Sequence, residues 1–315
     1  MEQELKPIIV PAEYDYLGAY LTDACHLRCE YCITRHHGAP YGRNRVQSQE
    51  PRQWIEGLNR LVLPADVPIT LQGGEPFLYK GIWEILENVR HKMDILTALP
   101  PFLGRRDFLR LRTLEWNRRE APYPRIRVSY HCGQNQYEDL IRRISDLQDL
   151  VSIGMYYLDT PATQPEEIAA IQAFAANYGV EVRSKEFLGR WGQQVYGTYL
   201  FPEAVSGIQQ PFPVLCKNTV IPIAPDGTIY RCHSDLYFQR RRHALGNLLD
   251  ERFEFPQVHQ VCDNFGLCSE CDVKVKTNRY QQYGYTSVDI RPIEPALSRN
   301  SNSSDRQRFE IGGGV

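Results

Sequence analysis

The chain has 315 residues, 42% hydrophobic and 23% charged, with a formal net charge of −2. That is length for one large domain or one and a half, in the proportions of an ordinary globular protein, and the charge argues against a general nucleic-acid binder. No apolar run approaches a membrane span of about 20 residues and the polar start is no signal peptide, so a cytoplasmic protein with neither membrane nor nucleic-acid partner is expected.

Residues 16–21 are aromatic and apolar and predict a first strand. Behind it comes the run Cys25-His26-Leu27-Arg28-Cys29-Glu30-Tyr31-Cys32, with C-x3-C-x2-C spacing. Residues 51–61 carry apolar positions at helical spacing, with Pro51 suited to a first turn. A second strand at 67–72 runs into Gly73-Gly74-Glu75-Pro76, and Ile82, Ile85, Leu86 and Val89 mark the next helix face. Residues 94–99 form a third strand. An arginine-rich stretch follows, with Arg105, Arg106, Arg110, Arg112, Arg118 and Arg119; it reads either as a dock for an acidic partner or as a solvated face. Residues 125–130 alternate with period two, a fourth strand carrying Ser129 and followed by His131 and Cys132. Leu140, Ile141, Ile144, Leu147 and Leu150 then lie on a helix, 151–157 on a fifth strand, and Ile168, Ile171 and Phe174 on a helix opened by Glu166 and Glu167. Residues 180–184 make a sixth strand.

Alternating strands and helices imply α/β architecture with a parallel sheet and right-handed crossovers. Six such units predict a partial (β/α)6 TIM-type barrel over residues 10–190. The pattern then changes. Residues 219–231 predict a hairpin turning at Pro225-Asp226-Gly227, flanked by cysteines, within a smaller domain over 191–295. Residues 296–315 are rich in Ser, Asn, Arg and Gly and predict a flexible tail.

Nine cysteines with no export signal point to metal or cluster ligation, not disulfides. A [4Fe–4S] cluster takes four thiolates. Cys25, Cys29 and Cys32 would hold three irons and leave the fourth open to a ligand, as catalytic zinc sites keep an open position. A structural zinc site is the alternative, but His26, inside the loop, is poorly placed to complete its tetrahedron. The run resembles the signature of radical S-adenosylmethionine (SAM) enzymes, C-x3-C-x-aromatic-C, with Tyr31 at the aromatic position. The resemblance implies that the open iron chelates the amino and carboxylate groups of SAM. One electron then yields methionine and a 5′-deoxyadenosyl radical, which abstracts hydrogen from substrate.

Gly73, Gly74, Glu75 and Pro76 match the family's GGEP motif. The resemblance implies that this turn binds the SAM amino group through backbone oxygens, with Glu75 supporting the turn. Glycine lacks the Cβ that would block so close a passage; a plain strand-to-helix turn is the alternative. Relatives often carry Ser-x-Asp-Gly where this chain has Ser129-Tyr130-His131-Cys132-Gly133. A SAM contact by Ser129 is therefore implied only in part, against an ordinary strand-end serine. Cys132, at the top of the fourth strand, is a candidate catalytic thiol or simply a small apolar side chain. His131 is a proton donor or a structural side chain.

The run Cys216-x10-Gly227-x4-Cys232, followed by Cys262-x5-Cys268-x2-Cys271, resembles the C-x9–15-G-x4-C half-motif of SPASM and twitch extensions of radical SAM enzymes. Five cysteines suffice for one auxiliary [4Fe–4S] cluster with one spare, which implies the shorter, twitch-like form. The expected ligands are Cys216, Cys232, Cys268 and Cys271, with Cys262 the alternative fourth; a zinc ribbon is the other reading.

The resemblance covers roughly residues 10–275. It implies maturation of a ribosomally synthesised precursor peptide by crosslinking, epimerisation, oxidation or backbone excision. The auxiliary cluster would accept an electron from the substrate or ligate it, and a flavodoxin or ferredoxin would be the reductant. About 15 residues before the first strand are too few to bury the core of a leader-reading domain. Any leader is thus expected to be read by a separate small protein. The rivals are a radical SAM enzyme acting on a metabolite in cofactor biosynthesis and a non-catalytic iron–sulfur or zinc protein.

Overall fold

The computed structural model describes residues 5–32, 46–64, 66–276 and 285–293; the tail expected at 296–315 lies outside them. Six strands carry the barrel: β1 (Tyr16–Thr22), β2 (Ile69–Gly73), β3 (Met93–Thr97), β4 (Ile126–Tyr130), β5 (Ile153–Asp159) and β6 (Val182–Glu186). Each pairs in parallel with the next. The longer helices between them are α1 (Pro51–Asn59), α2 (Ile82–Asn88), α3 (Tyr137–Leu147) and α4 (Pro165–Asn177), with two short ones, Arg105–Leu109 and Glu115–Arg118, between β3 and β4. The partial barrel expected from the alternation is the fold observed.

Its core lies between the strands and this helical layer. Leu17, Ala19 and Leu21 of β1 meet Ile69 and Leu71 of β2, Trp54 and Leu58 of α1, and Ile141 and Ile144 of α3 in one buried cluster. Side chains of a strand alternate between faces. The opposite, inner face therefore receives Tyr16, Gly18 and Tyr20, Thr70 and Gln72, Arg127 and Ser129, and Tyr156, none of which belongs to that cluster. One face is oil, as helix packing requires; the other is polar and aromatic. The many tyrosines go partly to that inner wall.

The C-terminal part adds β7 (Val214–Asn218), β8 (Val220–Ile223), β9 (Thr228–Tyr230), β10 (Ala244–Asn247), β11 (His259–Cys262) and β12 (Val288–Pro292), with short helices α5 (His233–Tyr237) and α6 (Glu270–Val273). The predicted hairpin is β8–β9. It does not stand apart from the barrel: β8 runs parallel to β1, with Val220 opposite Tyr16, and the nine-stranded sheet reads β10-β9-β8-β1-β2-β3-β4-β5-β6. A separate sheet, β11-β7-β12, carries three of these strands, and two short two-stranded pairs, Ile8–Ile9 with Leu61–Val62 and Gly189–Trp191 with Gln194–Tyr196, lie outside both.

Three arginines of the arginine-rich stretch pair with acids of this chain. Arg105 forks onto Asp149 at 2.6 and 2.5 Å, Arg110 onto Glu87 at 2.6 and 2.9 Å, and Arg119 pairs with the buried Asp94. Among the described residues, no helix is long and apolar enough to cross a membrane.

Candidate active site

β1 ends at Thr22 and the cysteine loop begins three residues on. The Gly73–Pro76 turn at the end of β2 is bound directly to that loop's base. Gly74 N donates to Thr22 O at 2.8 Å and Glu75 N to Ala24 O at 2.7 Å. A Cβ on Gly73, whose φ is +131°, would come 2.5 Å from Thr22 O, and one on Gly74 2.2 Å from Ala24 O. The two glycines are thus required first by backbone-to-backbone contact with the cysteine loop, a reason the sequence did not disclose. Glu75 completes the joint. Its buried carboxylate accepts from Thr97 Oγ1 at 2.7 Å, Ala98 N at 2.7 Å and Phe77 N at 3.1 Å. Burial still pushes its pKa upward, against those three donors.

Within the loop, Cys25 is exposed, Cys29 buried and Cys32 half-buried. Cys32 N donates to Cys29 O at 3.2 Å, and Leu27 N points at Cys25 Sγ at 3.4 Å. Tyr31 lies against the end of β4: its ring stacks on His131 at 6.0 Å and its hydroxyl meets His131 Nδ1 at 3.2 Å. Arg28 N donates to Gln134 Oε1 at 3.0 Å, a second tie from loop to β4. Burial, with help from Lys185 and His26, lowers the His131 pKa to about 4, so this ring is neutral at pH 7 and is no ready proton donor. Ser129 stands on the inner face of β4, in register with Tyr156 of β5. Cys132 is exposed, 3.8 Å from Glu167 Oε2, while Tyr130 donates to the other carboxylate oxygen at 2.7 Å. Burial and that carboxylate raise the thiol pKa, so Cys132 stays protonated.

The second cysteine group is a tertiary assembly. Cys216 on β7 and Cys262 on β11 sit on paired strands, Val214 facing Cys262 and Cys216 facing Gln260. Cys232 caps α5, its sulfur 3.4 Å from Asp235 N. Cys216, Cys232 and Cys262 line one small open cleft, with Tyr14, Asn218 and Arg231. Cys268 packs with Cys216 and Cys262 against the small core around Val214 and Val273. Cys271, in α6, does not line that cleft; the charges that act on it include Lys274, Asp272, Glu270 and Lys185. Gly227, with φ +77°, allows Gln49 to reach Asp226 O at 3.1 Å, since a Cβ there would lie 2.0 Å from Gln49 Nε2.

Buried acids stiffen this region. Asp235, 1% exposed, takes Arg231 Nε at 2.8 Å, His243 Nδ1 at 3.0 Å and Arg240 at 3.4 Å. Asp272 takes both His233 N at 2.9 Å and His233 Nδ1 at 2.7 Å, tying α5 to α6.

Both donor sets fit iron–sulfur ligation by their chemistry. Burial pushes Cys216 up to about 12, Cys271 to about 11, and raises Cys232, Cys262 and Cys268 as well. Half-buried thiols crowded by acids and by one another need bound cations before they ionise, which couples metal binding to this fold. The Asn218 amide nitrogen lining the cleft is buried without a partner. Near the Gly73–Pro76 turn, Gln72 Nε2 is likewise orphaned, lying across Gly18 where a Cβ would approach to 2.1 Å. Among the described residues, no three cysteine, histidine or carboxylate side chains are drawn onto a single point; what converges is the elements that carry them. Gln72, Lys185 and Tyr156 had no motif to announce them. The one signal was their place on inward-facing positions of strands whose other face is apolar.

A sequence profile described as the Radical SAM superfamily matches residues 19–160. Curated relatives include GTP 3′,8-cyclase of Clostridium perfringens (strain SM101 / Type A), 29% identical over 83 residues, 26% of this chain and 25% of that one. GTP 3′,8-cyclase of Nautilia profundicola is 25% identical over 188 residues, 55% of this chain and 56% of that one. The chain therefore spans between a quarter and about half the length of these relatives. Among solved structures, anSMEcpe with bound AdoMet is similar at 13% identity and TM-score 0.48, covering 88% of this chain and 90% of that one. Streptococcus suis SuiB bound to S-adenosylmethionine is similar at 14% and 0.34, covering 71% and 61%.

Proposed function

We propose, for a chain that belongs to the radical SAM superfamily, that it uses a 5′-deoxyadenosyl radical to modify a residue of a ribosomally synthesised precursor peptide. When bound, a [4Fe–4S] cluster and SAM supply that radical. Cys25, Cys29 and Cys32 would hold the cluster, and the Gly73–Pro76 turn, Tyr31 and Ser129 would border the SAM site. The observation that carries the family chemistry is the joint between the cysteine loop and that turn, made by Gly74 N and Glu75 N on Thr22 O and Ala24 O. Glu75 holds the joint rigid from beneath. Tyr31 and His131 hold the loop against β4, so the loop's position does not depend on its own short backbone.

The C-terminal cysteines would hold an auxiliary cluster. The shared cleft of Cys216, Cys232 and Cys262, with Cys268 packed beside them, supports Cys262 in the ligand set in place of Cys271. The peptide reading is supported by the twitch-like cysteine pattern and by the free edges of the β11-β7-β12 sheet. Among the described residues β11 and β12 each pair on one side only, and Val261 on β11 is 61% exposed. An extended peptide adds to such an edge through its own backbone. A small-molecule substrate is the second reading, favoured by the likeness to GTP 3′,8-cyclases.

The test is anaerobic reconstitution of the wild type and a Cys25/Cys29/Cys32→Ala variant. Iron, sulfide and zinc are then counted and 5′-deoxyadenosine is measured with a synthetic precursor peptide or with GTP. About eight irons falling to about four in the variant, with peptide-dependent 5′-deoxyadenosine, supports the proposal. GTP turnover without peptide replaces it with the second reading. Zinc without iron refutes the enzyme.

A further inference from the structure

The cleft at the second cysteine group contains a donor that the chain itself does not use. Cys216 and Asn218 stand two residues apart on β7 and so share one face of the β11-β7-β12 sheet. Across the pairing Cys216 meets Gln260, and Cys262, two residues beyond Gln260 on β11, takes that same face. Cys232, at the cap of α5, lines the cleft with them, beside Arg231 and the apolar Leu245 and Val258.

Asn218 is only 6% exposed, and the two ends of its amide are treated unequally. Oδ1 accepts from Val220 N at 3.0 Å. A backbone N–H can only donate, so this contact fixes which end of the amide is the oxygen. Nδ2 is thereby left as a donor, buried and with no acceptor among the described residues. Arg231, by contrast, is already held, with Nε on Asp235 Oδ2 at 2.8 Å and Nη1 on Val261 O at 2.9 Å. A buried N–H without an acceptor is costly and calls for an explanation, such as a ligand that supplies the acceptor. A cluster held in this cleft would bring thiolate and sulfide sulfurs, and hydrogen bonds to those sulfurs are among the levers that set its potential.

We infer that Asn218 Nδ2 donates a hydrogen bond to a sulfur of the auxiliary cluster held by Cys216, Cys232 and Cys262, and so raises its reduction potential. This rests on the auxiliary-cluster reading above. Reduction adds one electron and no proton, so the reduced cluster carries the extra negative charge, and a donor at its sulfur favours that state. Asn218 thus tunes the cluster without ligating it, and makes it a readier acceptor of an electron from the substrate.

The test uses the full chain carrying Cys25/Cys29/Cys32→Ala, reconstituted anaerobically, so that the about four irons counted are those of the second group. Asn218→Ser keeps a side-chain oxygen for Val220 N, as Ser does in turns of this kind, and removes the amide donor. Its midpoint potential, from a dye-mediated titration followed by electron paramagnetic resonance of the reduced cluster, is expected to fall below that of the parent at equal iron content. In D2O the parent's reduced cluster is expected to show a strongly coupled deuteron that Asn218→Ser lacks. Asn247, an amide outside the cleft that donates to Asp226 O and accepts from Leu249 N, supplies the control, and Asn247→Ser is expected to titrate as the parent. An unchanged or higher potential in Asn218→Ser at equal iron overturns the inference. So does loss of iron from Asn218→Ser while Asn247→Ser retains it, which would make Asn218 a ligand or a structural residue. A parent cluster with no strongly coupled deuteron overturns it without any variant. Zinc in place of iron in the parent overturns the auxiliary-cluster reading itself, and the metal count shows this before any potential is measured.

Discussion

The two cysteine groups solve the same problem in opposite ways. The first keeps its three thiols within eight residues and leaves one of them exposed; its geometry is imposed from outside, by two glycines, Glu75 and the Tyr31–His131 contact. The second collects its thiols from four separate parts of the fold and leaves each of them half-buried, with Asp235 and Asp272 supplying the rigidity. An open iron needs a loop that a ligand can reach, so the first site is local and accessible. A fully ligated cluster needs no access, so its thiols can be drawn from anywhere the fold brings together. Metal can therefore reach the first site from solvent, whereas the second forms only as its separate elements come together. Its thiols are half-buried and held protonated, so their ionisation waits on bound cations.

That contrast can be broken by substitution. The largest effect expected is Cys262→Ala, which should lower iron from about eight to about four per chain after reconstitution, whereas Cys271→Ala should leave it near the wild-type value. The reverse pattern would return Cys271 to the ligand set. Next comes Asp235→Ala, which strands Arg231, Arg240 and His243 beside a buried site. It should cost about 3–5 kcal/mol of stability, as removal of one partner of a buried ion pair does, read by denaturant melts of the metal-free protein. Gly74→Ala forces a Cβ to 2.2 Å from Ala24 O and should cost about 1–3 kcal/mol as overpacking does. Gly104→Ala, with nothing within 4 Å of the added Cβ, is the control and should melt as wild type.

The smallest effect is one of pH. The folded Lys185 pKa near 7 lies below the ordinary lysine value of 10.5, so between those limits the unfolded chain binds more protons. Stability contributed at this site therefore rises as pH increases from about 7 toward 10. Melts of wild type and Lys185→Gln at pH 7 and pH 9 should show wild type gaining relative to the variant. A parallel pair of pH profiles would place Lys185 in solvent.

Much of the fold was legible because it is written in short-range periodicity. The strands at 16–21, 125–130 and 180–184 declare themselves by aromatic, β-branched or alternating residues, and each lies within two residues of an observed strand. The cysteine loop and the Gly73–Pro76 turn are legible for the same reason: their residues are contiguous. What the glycines touch was not legible, since a Cβ-free position suits a ligand and a neighbouring backbone equally well until the neighbour is known.

The sequence by itself determined the barrel's six strands, the order of its helices, and the two places where thiols gather. Only the long-range contacts of the folded chain show that β8 joins β1 across some two hundred residues, that Cys216, Cys232 and Cys262 share a cleft that Cys271 does not line, and that the Lys185 amine stands over Tyr156. The physical reason is one of range. Strand propensity and side-chain alternation act between neighbours and fix which face a residue takes, but they carry no information about which distant strand, or which distant charge, that face will meet.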